Sequence, residues 1–317
     1  MREAEWDLLC LGGATATGKS AVALVLAERL GGEIVSVDSM QVYKRMDIGT
    51  DKPGPEDRAR VPHHMIDVVE PWEPFDVAQY VEMARRCIEE IRRRGKVAIL
   101  CGGTGLYFKG LLYGLDPVPK ADPSLRQQLK EEPLEKLLEE LRQADPVMYE
   151  QIDRNNPRRV RRAIEILRQT GRPPSTLRTR WKGPLPVPYP FFGLRRSRSD
   201  LRKRIDRRVE RMFERGLVEE AKALLEAGLL LDMPAAQALG YRQVFEYLQG
   251  KRSLEETKHL IKIRTAQFAK RQETWFRRQL PVEWIPVEAE ESPEEIAEKI
   301  LQRLVEGPQS HQKVVSS

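Results

Sequence analysis

An α/β fold is predicted: a phosphate-loop parallel-sheet core wrapped by helices, with an inserted all-α subdomain. Three observations predict it. Short apolar runs alternate with helical segments from Leu8 to Leu100, a glycine-rich motif follows the first run, and proline-rich brackets enclose a middle stretch without strand patterning.

The first run, residues 8–11, ends in Gly12-Gly13 and reads as a buried strand. Residues 20–30 are helical, with Val22, Leu26 and Leu30 at four-residue spacing and Gly31-Gly32 as the stop. Residues 34–37 and 97–100 are the next strands, the latter preceded by a basic helix around residues 84–94. Beyond Asp116-Pro117-Val118-Pro119 and up to residues 184–190, the regular patterns are helical, at 130–143 and 158–169. This predicts a helical insertion over residues 121–189, with 1–120 and 190–317 forming the core. Residues 191–194 return to the sheet. Helices follow at 199–215, 217–227, 234–249 and 254–279, with a last strand at 282–285. Residues 307–317 are polar and expected to be disordered.

The chain has 317 residues, 40% hydrophobic and 32% charged, which fits a globular protein. The net charge of +6 is too mild to establish a nucleic-acid partner, so the placement of charge must decide. Cys10, Cys87 and Cys101 are sparse and odd in number, as in a reduced compartment, and have no zinc spacing. The acidic start lacks signal-peptide character, and no apolar stretch approaches the roughly 20 residues that span a membrane. A cytoplasmic location without membrane contact is expected.

Gly13-Ala14-Thr15-Ala16-Thr17-Gly18-Lys19-Ser20 matches G-x-x-x-x-G-K-[ST] between a strand and a helix. The glycines let backbone N–H groups turn toward phosphate oxygens, and the helix adds its positive end. Lys19 supplies a mobile charge and Ser20 a hydroxyl suited to Mg²⁺. Alone, this motif reads as an ATP site. However, the strand at 97–100 runs into Cys101-Gly102-Gly103-Thr104-Gly105 with no acid at its end, where an NTPase carries a metal-binding carboxylate. Asp38 is the acid placed at a strand's carboxyl end, the position where α/β sheets gather catalytic groups. Position alone leaves it as metal ligand, general base or structural cap. Thr104 is equally a candidate helix cap or turn former.

Several segments, in order, resemble the tRNA dimethylallyltransferases, also called tRNA isopentenyltransferases. They are residues 12–20, Asp38-Ser39-Met40-Gln41-Val42-Tyr43, Asp47-Ile48-Gly49-Thr50-Asp51-Lys52-Pro53 and Val61-Pro62-His63-His64-Met65-Ile66-Asp67. Further along come Gly102-Gly103-Thr104-Gly105-Leu106-Tyr107, Asn156-Pro157-Arg158-Arg159-Val160-Arg161-Arg162-Ala163, Gly240-Tyr241-Arg242-Gln243 and Lys270-Arg271-Gln272-Glu273-Thr274-Trp275-Phe276-Arg277. One departure is Gly12, where the family more often has proline; the phosphate-binding positions are intact.

The resemblance implies transfer of a dimethylallyl group from dimethylallyl diphosphate to N6 of adenosine 37 in the tRNA anticodon loop. The phosphate loop would then grip the donor's diphosphate, aided by Mg²⁺ on Ser20 and by Arg242. Asp38 would be the base that takes the amine proton, with Thr104 beside it. Ser39, Met40 and Gln41 would contact the extruded base and its neighbours. Arg126, Arg158, Arg159, Val160, Arg161, Arg162, Gly240, Tyr241, Lys270, Arg271, Gln272 and Arg277 fall on family tRNA-contact segments. The arginine-dense stretch 195–211 and the face Arg264, Phe268, Arg271, Trp275, Arg278 also suit an RNA backbone with stacking, although each patch is also what a solvated helix face looks like. His63 and His64 are expected to make structural hydrogen bonds. A monomer is expected and no protein partner is implied. Competing readings are a P-loop kinase, an adenylate isopentenyltransferase and a non-catalytic RNA-binding protein.

Overall fold

Six strands make one parallel sheet in the order β3–β2–β4–β1–β5–β6 in the computed structural model, which describes residues 6–306 except Pro184, Val187 and Pro188. They are β1 (Leu8–Gly12), β2 (Glu33–Val37), β3 (His63–His64), β4 (Ala98–Gly102), β5 (Phe191–Arg195) and β6 (Glu283–Pro286). β1, β2 and β4 are buried along their whole length, which is why they read as near-continuous apolar runs. β3 is two half-buried histidines at the sheet edge, too short and too polar to show as a run. The expected disorder of residues 307–317 lies outside the described residues.

The helices are α1 (Lys19–Leu30), α2 (Pro55–Arg60), α3 (Val77–Arg93), α4 (Gly105–Tyr113), α5 (Pro123–Glu131), α6 (Leu134–Ala144) and α7 (Pro146–Gln151). Then follow α8 (Pro157–Thr170), α9 (Pro174–Leu177), α10 (Arg198–Glu214), α11 (Leu217–Glu226), α12 (Tyr241–Leu248), α13 (Leu254–Gln279) and α14 (Pro293–Glu306). Two expected helices are divided. The one at 130–143 breaks at Pro133, which lacks an N–H and holds Glu132 extended (φ −79°, ψ 136°). The one at 234–249 breaks at Gly240, whose φ of 98° no helix accommodates. α14 is missing from the sequence reading because charge masks it. It nonetheless buries Ile296, Ala297 and Ile300 against α1 and the sheet, each isoleucine contributing roughly 2–3 kcal/mol.

Among the described residues, those within 1–111 and 187–317 form one compact unit and those within 112–186 another. In the larger unit, Phe108, Phe191 and Phe276 pack edge to face or tilted, which anchors α13. A Cβ on Gly12 would stand 2.6 Å from the Phe276 ring and 2.8 Å from Phe191, so this chain's departure at Gly12 is matched by its aromatic neighbours. In the smaller unit, α5, α6, α7 and α8 enclose Leu129, Leu137, Leu141, Met148, Val160, Ala163 and Ile164. Glu165 is buried there and fully paired. Oε1 accepts from the Asp122 N–H and Arg126 Nε, both at 3.0 Å, and Oε2 from Arg162 Nη1 at 2.6 Å.

Candidate active site

Strand register assembles the site. Gly12 of β1 and Val37 of β2 both stand opposite Gly102 of β4, so three loops leave the sheet side by side at its carboxyl edge. The chain turns to opposite sides after β1 and after β4, and such a switch point is where open α/β sheets hold ligands. A Cβ on Gly102 would lie 2.0 Å from the Val37 carbonyl oxygen, so only glycine allows the strand ends to come this close.

The loop after β1 has the backbone a phosphate cradle needs. Gly13, Ala16 and Gly18 have φ of 131°, 64° and 96°, and Gly18 leads directly into α1. Lys19 Nζ donates to the Ala14 carbonyl at 3.0 Å and Thr17 Oγ1 to the same oxygen, also at 3.0 Å. Burial lowers the Lys19 pKa, while Cys101 and the Asp38 carboxylate pull the other way. Ser20 stands exposed at the start of α1.

Three arginines of the stretch 195–211, expected to suit an RNA backbone, instead surround this loop from outside. Arg196, just before α10, donates to the Thr17 carbonyl at 2.8 Å and pairs with Asp200 at 2.9 Å; its side chain is 2% exposed. Arg204 donates to the Ala16 carbonyl at 2.9 Å, and Arg208 to the Thr15 hydroxyl at 2.5 Å. The missed signal was their spacing. Arg204 and Arg208 are four apart on a helix, so they share one face.

The loop after β2 carries Asp38. Its Oδ1 accepts from the N–H of Met40 at 2.8 Å and of Gln41 at 3.3 Å, which fixes the turn, while Oδ2 has no protein donor among the described residues. One oxygen of the carboxylate thus caps the turn while the other is left without a protein donor among the described residues. Thr104, after β4, accepts from the Ser39 N–H at 3.0 Å through Oγ1, and its own N–H donates to the Val37 carbonyl at 3.1 Å. Gln41 accepts from Ser36 Oγ at 2.8 Å and donates to the Thr50 and Asp51 carbonyls at 3.2 and 3.3 Å.

Other expected contact residues divide by burial. Arg158 and Arg159 are exposed at the start of α8, and their guanidinium groups have no hydrogen bond or ion pair among the described residues. Arg161 instead donates to the Leu129 carbonyl, Arg162 to Glu165 and the Pro119 carbonyl, and Arg126 to Glu165. Val160 is core. On α13, Arg264, Phe268, Lys270, Arg271, Arg277 and Arg278 are exposed, with Arg271 over the Phe268 ring at 5.9 Å. Gln272, expected on the RNA side, is buried. Its amide donates to the Gly103 carbonyl and accepts from the Thr15 N–H, both at 2.9 Å, so it bridges two loops of the site. Tyr241 is fully buried, because its ring packs beneath Gly49. Gly240 is the helix break before it.

Arg242, expected on the diphosphate, pairs with Glu246 at 3.5 Å. It lines a cavity of about 180 Å³ with Gln237, Phe245, Gln249 and Lys251, and has no hydrogen bond or ion pair to the phosphate loop among the described residues. The histidines make hydrogen bonds: His63 Nδ1 with the Val61 carbonyl at 2.8 Å, and His64 Nε2 with Glu33 at 2.7 Å. Burial works to raise the Glu33 pKa, but hydrogen bonds from Arg94, His64 and Lys96 outweigh it and hold the carboxyl at about 2. Among the described residues, no helix is long and apolar enough to cross a membrane.

Both the sequence and the fold have counterparts in known proteins. The IPP transferase family model matches residues 41–279 and the isopentenyl transferase model residues 6–63. A tRNA dimethylallyltransferase 1 of Citrifermentans bemidjiense is 45% identical over 90% of this chain and 93% of its own length. A tRNA dimethylallyltransferase of Carboxydothermus hydrogenoformans is 44% identical over 93% of this chain and 96% of its own. The crystal structure of a tRNA isopentenylpyrophosphate transferase from Bacillus halodurans superposes with a TM-score of 0.71 at 37% identity, covering 95% of this chain and 98% of that one. A eukaryotic dimethylallyltransferase acting on tRNA superposes at 0.75 with 28% identity, covering 88% of this chain and 74% of that one. The chain belongs to the IPP transferase family, the tRNA dimethylallyltransferases.

Proposed function

We propose that the protein transfers a dimethylallyl group from dimethylallyl diphosphate to N6 of adenosine 37, next to the tRNA anticodon. The observation that carries this reading is the register of Gly12, Gly102 and Val37, which brings the phosphate loop, Thr104 and Asp38 to one sheet edge. The loop's N–H groups and Lys19 grip the diphosphate. Arg204 and Arg208, held on the loop itself, add positive charge there, and Arg242 is assigned to the same diphosphate.

Adenosine 37 must leave its stack for N6 to meet the allylic carbon. The bond from that carbon to the diphosphate oxygen breaks as the bond from N6 forms, and the diphosphate departs with the electron pair. The nitrogen becomes acidic as it gains carbon, and its proton passes to Oδ2 of Asp38. Thr104 holds the Asp38 turn through Ser39 and presents its hydroxyl beside the amine. Gln41, Met40 and Ser39 border the incoming base. Arg158, Arg159, Lys270, Arg271 and Arg277, exposed and without salt-bridge partners among the described residues, supply the phosphate contacts.

Mg²⁺ fits this donor set. No group of three or more Asp, Glu, His or Cys side chains gathers among the described residues to form a protein cage, and a metal bound through a hydroxyl and substrate phosphates needs none. Ser20 would hold it. When bound, the ion supplies charge neutralisation for the leaving diphosphate.

The test is incubation with labelled dimethylallyl diphosphate, Mg²⁺ and either unmodified tRNA bearing A36-A37-A38 or AMP. Label should appear on the tRNA and map to residue 37. Label on AMP alone, or ATP hydrolysis without prenyl transfer, would overturn the proposal.

A further inference from the structure

We infer that Glu220 is a positioning residue for the transfer: its carboxylate fixes the loop of residues 47–51, which ties the acceptor-side turn to the donor-side loop, and Tyr241 clamps Glu220 in place. The inference rests on the reading of the Asp38 turn as the reacting end of the site.

Glu220 lies on α11, outside every motif described above. Its Oε2 accepts from the N–H of Asp47 at 3.0 Å and of Ile48 at 2.9 Å. Its Oε1 accepts from Ile48 at 3.1 Å, from Gly49 at 3.2 Å and from the Tyr241 hydroxyl at 2.5 Å. Three consecutive backbone N–H groups form a concavity that binds anions, and here the anion is the protein's own carboxylate. The Gly49 N–H also donates to the Tyr241 oxygen at 3.2 Å, and a Cβ on Gly49 would stand 2.3 Å from the Tyr241 ring. Burial, reinforced by Glu220, pushes the Tyr241 phenol far up, so it remains a donor at any working pH. Lys52 braces the same loop from within, paired with Asp47 at 2.7 Å and Asp67 at 2.6 Å.

The loop held in this way is a junction. Its Thr50 and Asp51 carbonyls accept from the Gln41 amide, and the Gln41 N–H is bound to Asp38. On the other side, Asp51 Oδ2 pairs with Arg208 Nε at 3.5 Å, and Arg208 donates to Thr15 of the phosphate loop. A shift of residues 47–51 therefore moves Gln41 against the acceptor and Arg208 against the donor together.

Steady-state transfer to tRNA, measured well below each variant's unfolding midpoint, tests this. Glu220→Ala should lower kcat/KM for donor and for tRNA by about 30-fold, because small misplacements at a reacting centre are costly. Glu220→Gln keeps one acceptor oxygen and should recover part of that loss. The tRNA dissociation constant should stay within about twofold, since the exposed arginines are untouched. Combining Glu220→Ala with Gln41→Ala should cost clearly less than the product of the two single losses, because both act in part through one loop. Folded Glu220→Ala with unchanged kcat and KM, or multiplicative losses in the double variant, would overturn the inference. If Glu220→Ala does not fold, the pair Tyr241→Phe and Gln41→Ala is read in the same way, with multiplicative losses again overturning it. Asp38→Ala serves as the control: turnover surviving there defeats the assignment of the base, whereas the Glu220–Gln41 coupling stands or falls by itself.

Discussion

α10 carries Arg204, Arg207, Arg208 and Arg211, and α8 opens with Arg158, Arg159, Arg161 and Arg162, so in composition the two segments are alike. Their settings differ. Arg204 and Arg208 turn inward onto the phosphate loop, whereas Arg158 and Arg159 project from the first turn of α8 with no partner for their guanidinium groups among the described residues. Within α8 the same division recurs over a single turn, where Arg161 and Arg162 are spent on the Leu129 and Pro119 carbonyls and on Glu165. An arginine run thus states how much charge is present, and the neighbouring carbonyls and carboxylates state whom it serves.

Asp38→Ala should reduce transfer by about 10³-fold while tRNA still binds, in keeping with loss of a general base. Single-turnover rates within a few-fold of the parent protein would remove Asp38 from that role. Next, Arg208→Ala should cost about 10²-fold in kcat/KM, read mainly as a rise in donor KM, with the tRNA affinity and its salt dependence unchanged. A changed salt slope would instead place α10 on the RNA.

Replacing Arg158 and Arg159 together by alanine should weaken tRNA binding by roughly tenfold and flatten the log–log salt slope by about 2. The pair Arg161→Ala and Arg162→Ala should leave that slope unchanged and lower the melting temperature, since it strips a donor from buried Glu165. Equal slopes for the two pairs would erase the distinction between them.

The smallest effect concerns Glu33, whose folded pKa of about 2 lies below its ordinary 4.5. A depressed carboxyl stabilises the fold above the unfolded value, and that stability disappears as pH falls from about 4.5 toward 2. Glu33→Gln should therefore cost on the order of 2 kcal/mol at pH 7, allowing for solvent screening of Arg94 and Lys96. The gap from the parent protein should close by pH 2; denaturant unfolding at both pH values measures it.

Much of the core was legible. Strands β1, β2 and β4 are buried on both faces and so appear as apolar runs, and the cradle's glycines mark a backbone that side chains cannot follow. β3 and α14 were hidden by polar residues, and two helices were drawn too long because a proline and a glycine break them at single residues. In the site, the gathering of Asp38, Thr104 and the loop at strand ends was legible, because strand ends are local features. Gln272, Tyr241 and Val160 were misjudged because their burial is set by chain hundreds of residues away or by a partner helix.

The sequence by itself determined the parallel α/β core, the phosphate loop, the acid at the end of β2 and the family, because strand periodicity, glycine backbone demands and ordered motifs are written in neighbouring residues. Only the tertiary structure decided which oxygen of Asp38 lacks a protein donor, which arginines hold the loop and which stay exposed, and that Glu220 fixes the 47–51 loop. Each of those depends on a hydrogen-bond partner brought in from a distant part of the chain, and local pattern carries no record of such a partner.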